Sequence, residues 1–184
     1  MKNGYFINKN SNSVSIVLEH KDVYRITTID LEDFEKVSKI PGSWYAMDVG
    51  GTRGEKIYAG TVIGGVTIYL HKFVLRSVPG LVIDHINHNS LDNRKGNLRN
   101  VSRAVNGQNR KGAQRNNKSS GYRNVYPTGN GNWYVQLNKD GITYRIGTYP
   151  SVTIANEVAI QAREFYYENG GEGPLEISEV YQNA

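Results

Sequence analysis

Apolar and polar residues alternate along SVSIVLE (13–19) and VYRITTID (23–30). That period of two marks strands buried on one face, and the short gap between the runs predicts a hairpin. The period then changes. In DLEDFEKVSKI (30–40), Leu31, Phe34 and Val37 recur every third residue, which predicts a short amphipathic helix capped by Asp30 and stopped at Pro41-Gly42. SWYAMDV (43–49), KIYAG (56–60) and VTIYL (66–70) read as strands between glycine turns, and LHKFVLRSV (70–78) as a short helix before Pro79-Gly80. LVIDHI (81–86) is an apolar strand that ends on an acid and a histidine. A polar loop follows, and then SRAVNGQNR (102–110), a short helix with Ser102 as its N-cap.

KGAQRNNKSS (111–120) has nothing to bury and reads as a flexible basic linker. Beyond it the pattern is clearest. YRNVYPTGNG, NWYVQLNKDG and ITYRIGTYPS are three alternating strands, with Asp140-Gly141 supplying the positive φ of a tight hairpin. In the next segment Ala155, Val158, Ala159, Ala162, Phe165 and Tyr166 recur at helical steps, between a Ser151 cap and a Gly170 stop. A three-stranded antiparallel sheet on one helix is about the smallest unit that buries a core. The expected class is α+β. A mixed N-terminal region covers 1–80, a strand–loop–helix module 81–110 (with 68–80 leading in), the linker 111–120, the sheet-and-helix domain 121–173, and a tail 174–184.

Composition narrows the chemistry. The chain has no cysteine, which removes disulfides, thiol catalysis and cysteine-bound zinc and fits an intracellular protein. No apolar run resembles a signal peptide or reaches the roughly 18 residues of a membrane span. The net charge of +5 is unevenly spread. Arg94, Lys95, Arg99, Arg103, Arg110, Lys111, Arg115, Lys118 and Arg123 fall in one stretch without an acid, whereas from Glu157 onward six glutamates face one arginine. A polyanion such as DNA would therefore meet the middle of the chain; a solvated linker accounts for the charge equally well.

The motif decides between them. Residues 84–110, DHINHNSLDNRKGNLRNVSRAVNGQNR, carry an Asp-His pair and seven asparagines. Hydrolysis of a phosphodiester needs a cation to offset developing charge and a base to activate water. Magnesium accepts one carboxylate and one amide oxygen if water and substrate phosphate complete its shell. Histidine is the base that titrates near neutrality. Adjacent strand residues face opposite ways, so Asp84 can face a metal while His85 faces water. Asn97 is placed to hold His85 through a backbone bond, and Asn106, or alternatively Asn109, to return an amide oxygen to the metal. His88 and Asn89 read as turn residues and His20 as surface.

The Asp84–His85 pair, DNRKGNLR around Asn97, and NGQN at 106–109 resemble the HNH endonucleases, the ββα-metal nucleases, and within them the phage-type homing enzymes. LHKFVL at 70–75 resembles the helix before that motif, with His71 at its histidine. The resemblance implies Asp84 and Asn106 as metal ligands, His85 as general base, Asn97 as its positioner and His71 as a further catalytic candidate. Asn in place of a third histidine favours Mg²⁺ or Mn²⁺ over Zn²⁺. One such motif per chain leaves nicking by a monomer or double-strand cutting by a homodimer open.

Residues 120–170 resemble the DNA-binding domain of plant ethylene-response factors (the Apetala-two type), through GYRNVY, Trp133, RIGTY at 145–149 and the alanines of the helix. Trp133, Val135, Leu137, Tyr144 and Ile146 are expected to face the helix. Arg123, Tyr126, Gln136, Asn138, Thr143 and Arg145 would then face double-stranded DNA, helped by the basic residues from Arg94 to Lys118. The implied activity is cutting or nicking of duplex DNA in a bacterial host cytoplasm. A DNA-binding regulator with a vestigial nuclease module, or a restriction or defence nuclease, is the alternative.

Overall fold

The computed structural model describes residues 1–20, 23–50, 56–109, 112–113 and 117–175; the side chain of His20 lies outside the description. The chain forms two compact units, Met1–Asn109 and Arg110–Ala184.

In the first unit β1 (Tyr5–Asn8), β2 (Ser13–His20), β3 (Val23–Asp30), β4 (Tyr45–Asp48), β5 (Ile57–Ile63) and β6 (Val66–Tyr69) build one six-stranded sheet. The expected β2–β3 hairpin is present along its whole length, from Ser13 opposite Asp30 to His20 opposite Val23. The predicted helix after it is shorter. A 3₁₀ turn at Leu31–Asp33 leads into α1 (Phe34–Ser38), and Asp30 does not cap either. Its carboxylate instead accepts from the Lys95 backbone N–H at 2.7 Å, a contact across 65 positions that outcompetes the local one.

The sheet is followed by α2 (Leu70–Val74), β7 (Val82–His85), β8 (Leu98–Val101) and α3 (Arg103–Gln108). β7 and β8 form a separate antiparallel ribbon with Asp84 opposite Arg99 and His85 opposite Leu98. The sequence predicts a polar loop where β8 forms. Its pairing with β7 makes it a strand despite Arg99 and Asn100, because only Leu98 has to be buried. Ser102 caps α3 as expected, its Oγ accepting from Val105 N–H at 3.2 Å. Val14, Ile16, Leu18, Ile29, Val37 and Trp44 are fully buried, and Leu70, Val74 and Leu98 join the same core. The strand–loop–helix module thus shares its apolar core with the N-terminal sheet, and no packing boundary falls at residue 80.

In the second unit β9 (Val125–Pro127), β10 (Trp133–Lys139) and β11 (Ile142–Tyr149) form the expected antiparallel sheet, in the order β11-β10-β9. Asp140 and Gly141 turn the hairpin with φ of 53° and 83°. α4 (Val152–Arg163), capped by Ser151, lays Ala155, Val158, Ala159 and Ala162 against Val125, Val135 and Leu137. A wider π-helical turn at Glu164–Glu168 follows, and Gly170 takes φ 68° as predicted. Residues 117–120, read as linker, belong to this unit. Asn117 Nδ2 donates to the carbonyls of Tyr122 and Val125, and Ser120 Oγ to Val125. These short polar side chains bond the backbone where they have nothing to bury.

Candidate active site

Asp84 and His85 end β7, and both are buried, at 8% and 7% exposure. The ribbon loop that follows them is held by its own amides. Asn97 accepts from Asn87 N–H at 2.9 Å with Oδ1 and donates to the Asp92 carbonyl at 2.8 Å with Nδ2, while its backbone oxygen takes Ile86 N–H at 2.9 Å. It therefore grips the residue after His85 through the backbone and does not touch the imidazole by any described bond. Asn87 accepts from Asn89 N–H and Asn89 from Leu91 N–H, so Asn89 is a turn residue, as is His88 with φ 64°. Asn100 ties β8 to Arg76 and Val78.

The loop is fastened to the N-terminal sheet. Thr28 N–H donates to Leu91 O at 2.9 Å and Thr28 O accepts from Asn93 N–H at 2.7 Å, so residues 91–93 lie along β3. Ser90 Oγ donates to Ile57 O on β5.

Around Asp84 the bonding is one-sided. Oδ2 accepts from Arg99 Nε at 3.1 Å, Arg99 Nη2 at 3.0 Å and Asn109 Nδ2 at 2.9 Å. Oδ1 accepts no bond from a described residue. Asn109 Nδ2 also donates to His85 O at 3.2 Å. Turning that amide over would set its oxygen against two other oxygens, so the nitrogen faces inward and Asn109 serves to orient Asp84. Asn106, one turn earlier on α3, is exposed and its side chain has no bonded partner among the described residues. The other six asparagines of the motif are all engaged through their side chains.

His85 Nε2 lies 3.2 Å from Asn93 Oδ1. Its ring meets His71 edge-on at 5.4 Å between centroids and Tyr58 at 6.0 Å, and His71 stacks on Tyr69 at 5.7 Å. Burial pushes His85 below the ordinary imidazole value, against the opposing pull of the Asn93 bond and the charges of Asp84 and Asp92. Burial, helped by the nearby His85, Lys72 and Lys56, takes His71 down to about 3, and its Nδ1 is buried without a partner among the described residues.

An acid-stability prediction follows from His71. In the unfolded chain it protonates near 6.5, in the folded protein only near 3, so the unfolded state binds the extra proton between these values. Stability is lost as pH falls through that window. His71→Phe removes the titration together with an unpaired polar atom, so the variant should be at least as stable as wild type near neutrality and lose less stability on acidification. Urea unfolding at pH values on either side of the window measures the difference.

Two of the arginines read as DNA contacts are engaged within the protein. Arg99 holds Asp84, and Arg94 makes a bidentate pair with Asp92 at 2.7 Å for both bonds. The Arg94 hydrogen bonds hold the Asp92 carboxyl below its usual range. Arg103 and Lys118 are exposed; Arg110, Lys111 and Arg115 lie outside the described residues.

Among the described residues no three histidine or acidic side chains converge as a metal cluster. The donors that do fit a cation are the open Asp84 Oδ1 and an amide oxygen from α3. Both are hard oxygen donors, suited to Mg²⁺ or Mn²⁺.

A buried Asp-His pair at the end of one ribbon strand, a crossing loop and a helix bearing the amide make a ββα arrangement, and the family comparison falls on it. Residues 76–108 match the HNH endonuclease family. That family acts on DNA as a nuclease, with a divalent metal as its usual cofactor, and Asp84, His85, Asn97 and Asn106 all fall within the matched HNH domain. Asn109 lies just past it. No curated protein and no solved structure matches the chain significantly. No helix among the described residues is long and apolar enough to cross a membrane.

On the second unit, the face of the sheet turned from α4 carries the side chains expected there. Tyr126 stacks on Tyr134 with centroids 5.3 Å apart, and the Arg145 guanidinium lies 4.9 Å from the Tyr134 ring. Asn138 Nδ2 donates to Thr143 Oγ1 at 3.3 Å on the same face, where Gln136 stands opposite Arg145. Arg123 departs from this arrangement: its guanidinium lies over the Tyr167 ring and its carbonyl accepts from Arg163.

Proposed function

We propose that the chain is a divalent-metal-dependent endonuclease that cuts or nicks double-stranded DNA, of the phage homing type. The observation that carries the reading is selective engagement. The other asparagines of the motif are bonded through their side chains, whereas Asp84 Oδ1, next to the buried imidazole of His85, and the exposed Asn106 carboxamide have no bonded partner among the described residues. Asp84 and Asn106 would hold the metal, and Asn109 and Arg99 fix the carboxylate. His85 takes the proton of the attacking water, and Asn97 keeps the strand end from which it projects in place. A bound Mg²⁺ or Mn²⁺ supplies positive charge to the scissile phosphate and its leaving oxygen.

Supercoiled plasmid incubated with the protein should relax or linearise when Mg²⁺ is present and stay intact under chelation. Intact plasmid across divalent metals, with gel shifts retained, would instead establish a DNA-binding regulator. That second reading draws on the Arg99–Asp84 pair, in which a guanidinium already neutralises the acid. Mapped cut sites separate the biological roles: a long, rare site supports homing and a short, frequent one supports restriction or defence.

The second unit would bind the duplex through its Tyr126–Tyr134–Arg145 face, raising the local concentration of the nuclease at its target. Arg145→Ala should weaken duplex affinity by about tenfold, the scale of one lost guanidinium contact. Fluorescence anisotropy would show it, with the cleavage rate at saturating DNA unchanged.

A further inference from the structure

The hydrogen bonds behind His85 run in one direction. Leu91 O is a carbonyl and only accepts. Thr27 Oγ1 lies 2.7 Å from it and must donate its single hydrogen there. The Thr27 oxygen is then an acceptor toward Asn93, so the Asn93 atom at 2.8 Å is the amide nitrogen. This fixes the flip of the amide and turns Oδ1 toward His85 Nε2. An amide oxygen cannot donate, so the ring nitrogen facing it carries the hydrogen. Nδ1 is left with its lone pair and has no bond to a described residue. Thr27 and Asn93 are fully buried, so water does not compete for these bonds.

We propose that Asn93, braced by Thr27 of β3, is a positioning residue that locks His85 in the Nε2–H tautomer and leaves Nδ1 as its basic atom. The N-terminal sheet thereby sets the protonation geometry of the HNH domain, through a contact spanning 66 positions. The tautomer stands on the hydrogen bonds alone; its catalytic meaning rests on the reading of His85 as general base.

The test is nitrogen-15 NMR of histidine-labelled full-length protein without metal, at a pH where the imidazoles are neutral. Spectra of His71→Phe and His85→Gln assign the signals. Wild type should show His85 with a protonated Nε2 and a lone-pair Nδ1. Thr27→Val, which keeps the shape but lets the Asn93 amide turn over, should give mixed tautomers, and Thr27→Ser should restore the single form. Single-turnover nicking should fall about tenfold in Thr27→Val, on the scale of lost orienting bonds, and recover in Thr27→Ser. A wild-type His85 protonated on Nδ1 overturns the proposal whether or not any variant folds. A folded Thr27→Val with an unchanged tautomer overturns the role of Thr27. A protein that shows the tautomer and never cuts DNA leaves the lock standing and removes the nuclease reading.

Discussion

His85→Ala should lower single-turnover DNA cleavage by between about a hundredfold and ten-thousandfold, the range for loss of a positioned general base, with DNA affinity changed little. The expectation rests on the position of the imidazole at the end of β7, beside Asp84 and backed by Asn93. Burial shifts the imidazole toward its neutral form, the form that can accept a proton. Alanine also leaves Asn93 Oδ1 unpaired inside the protein, at a cost of about 1–3 kcal/mol. His85→Gln therefore belongs beside it, since glutamine can still donate to that oxygen but cannot serve as base. Both variants should bind duplex DNA and fail to nick it. A His85→Gln protein that cuts at the wild-type rate would remove His85 from the mechanism.

The sequence exposes the parts of this site that depend on local pattern. The alternation in 13–30, the Asp140-Gly141 turn and the alanine repeat of α4 each commit a segment without outside help, and each is found in place. Asp84 and His85 stand out in the sequence because they close an apolar run, and Asn97 and Asn106 become candidates through the likeness of their surroundings to the HNH motif. What escaped was set from a distance. Asn93 looked like one amide among seven, and its importance comes from Thr27, on another strand. The four-residue strands β1 and β8 carry too little alternation to register and owe their pairing to β2 and β7. The basic run from Arg94 looked free of acids because its partners, Asp84 and Asp92, lie just before it; folding returns Arg94 and Arg99 to them. Asp30 has the identity of a helix cap and the position of a loop anchor, and only the fold tells these apart.

Asp84→Ala is expected to abolish metal-dependent cleavage and weaken cation binding more than any single amide change, because under the proposed function it removes the carboxylate that would hold the metal. Asn106 on α3 and Asn109 at its C-cap should then separate. If Asn106 supplies the second ligand oxygen, Asn106→Ala should reduce Mn²⁺ affinity strongly and Asn106→Asp should retain it, since a carboxylate offers the same hard donor. Asn109 is bonded through its nitrogen to Asp84 and His85 O, so Asn109→Leu should lower affinity by about ten- to a hundredfold, the effect of an orienting partner. Asn109→Asp should do worse than leucine, because its added charge would face the Asp84 carboxylate without the donor that now satisfies it. Mn²⁺ titration followed by electron paramagnetic resonance, in the His85→Gln background so that DNA stays uncut, reads these affinities apart from turnover. Were Asn109→Asp to bind Mn²⁺ better than wild type while Asn106→Ala bound it equally well, the metal would belong to Asn109, and the amide would have to turn over on binding.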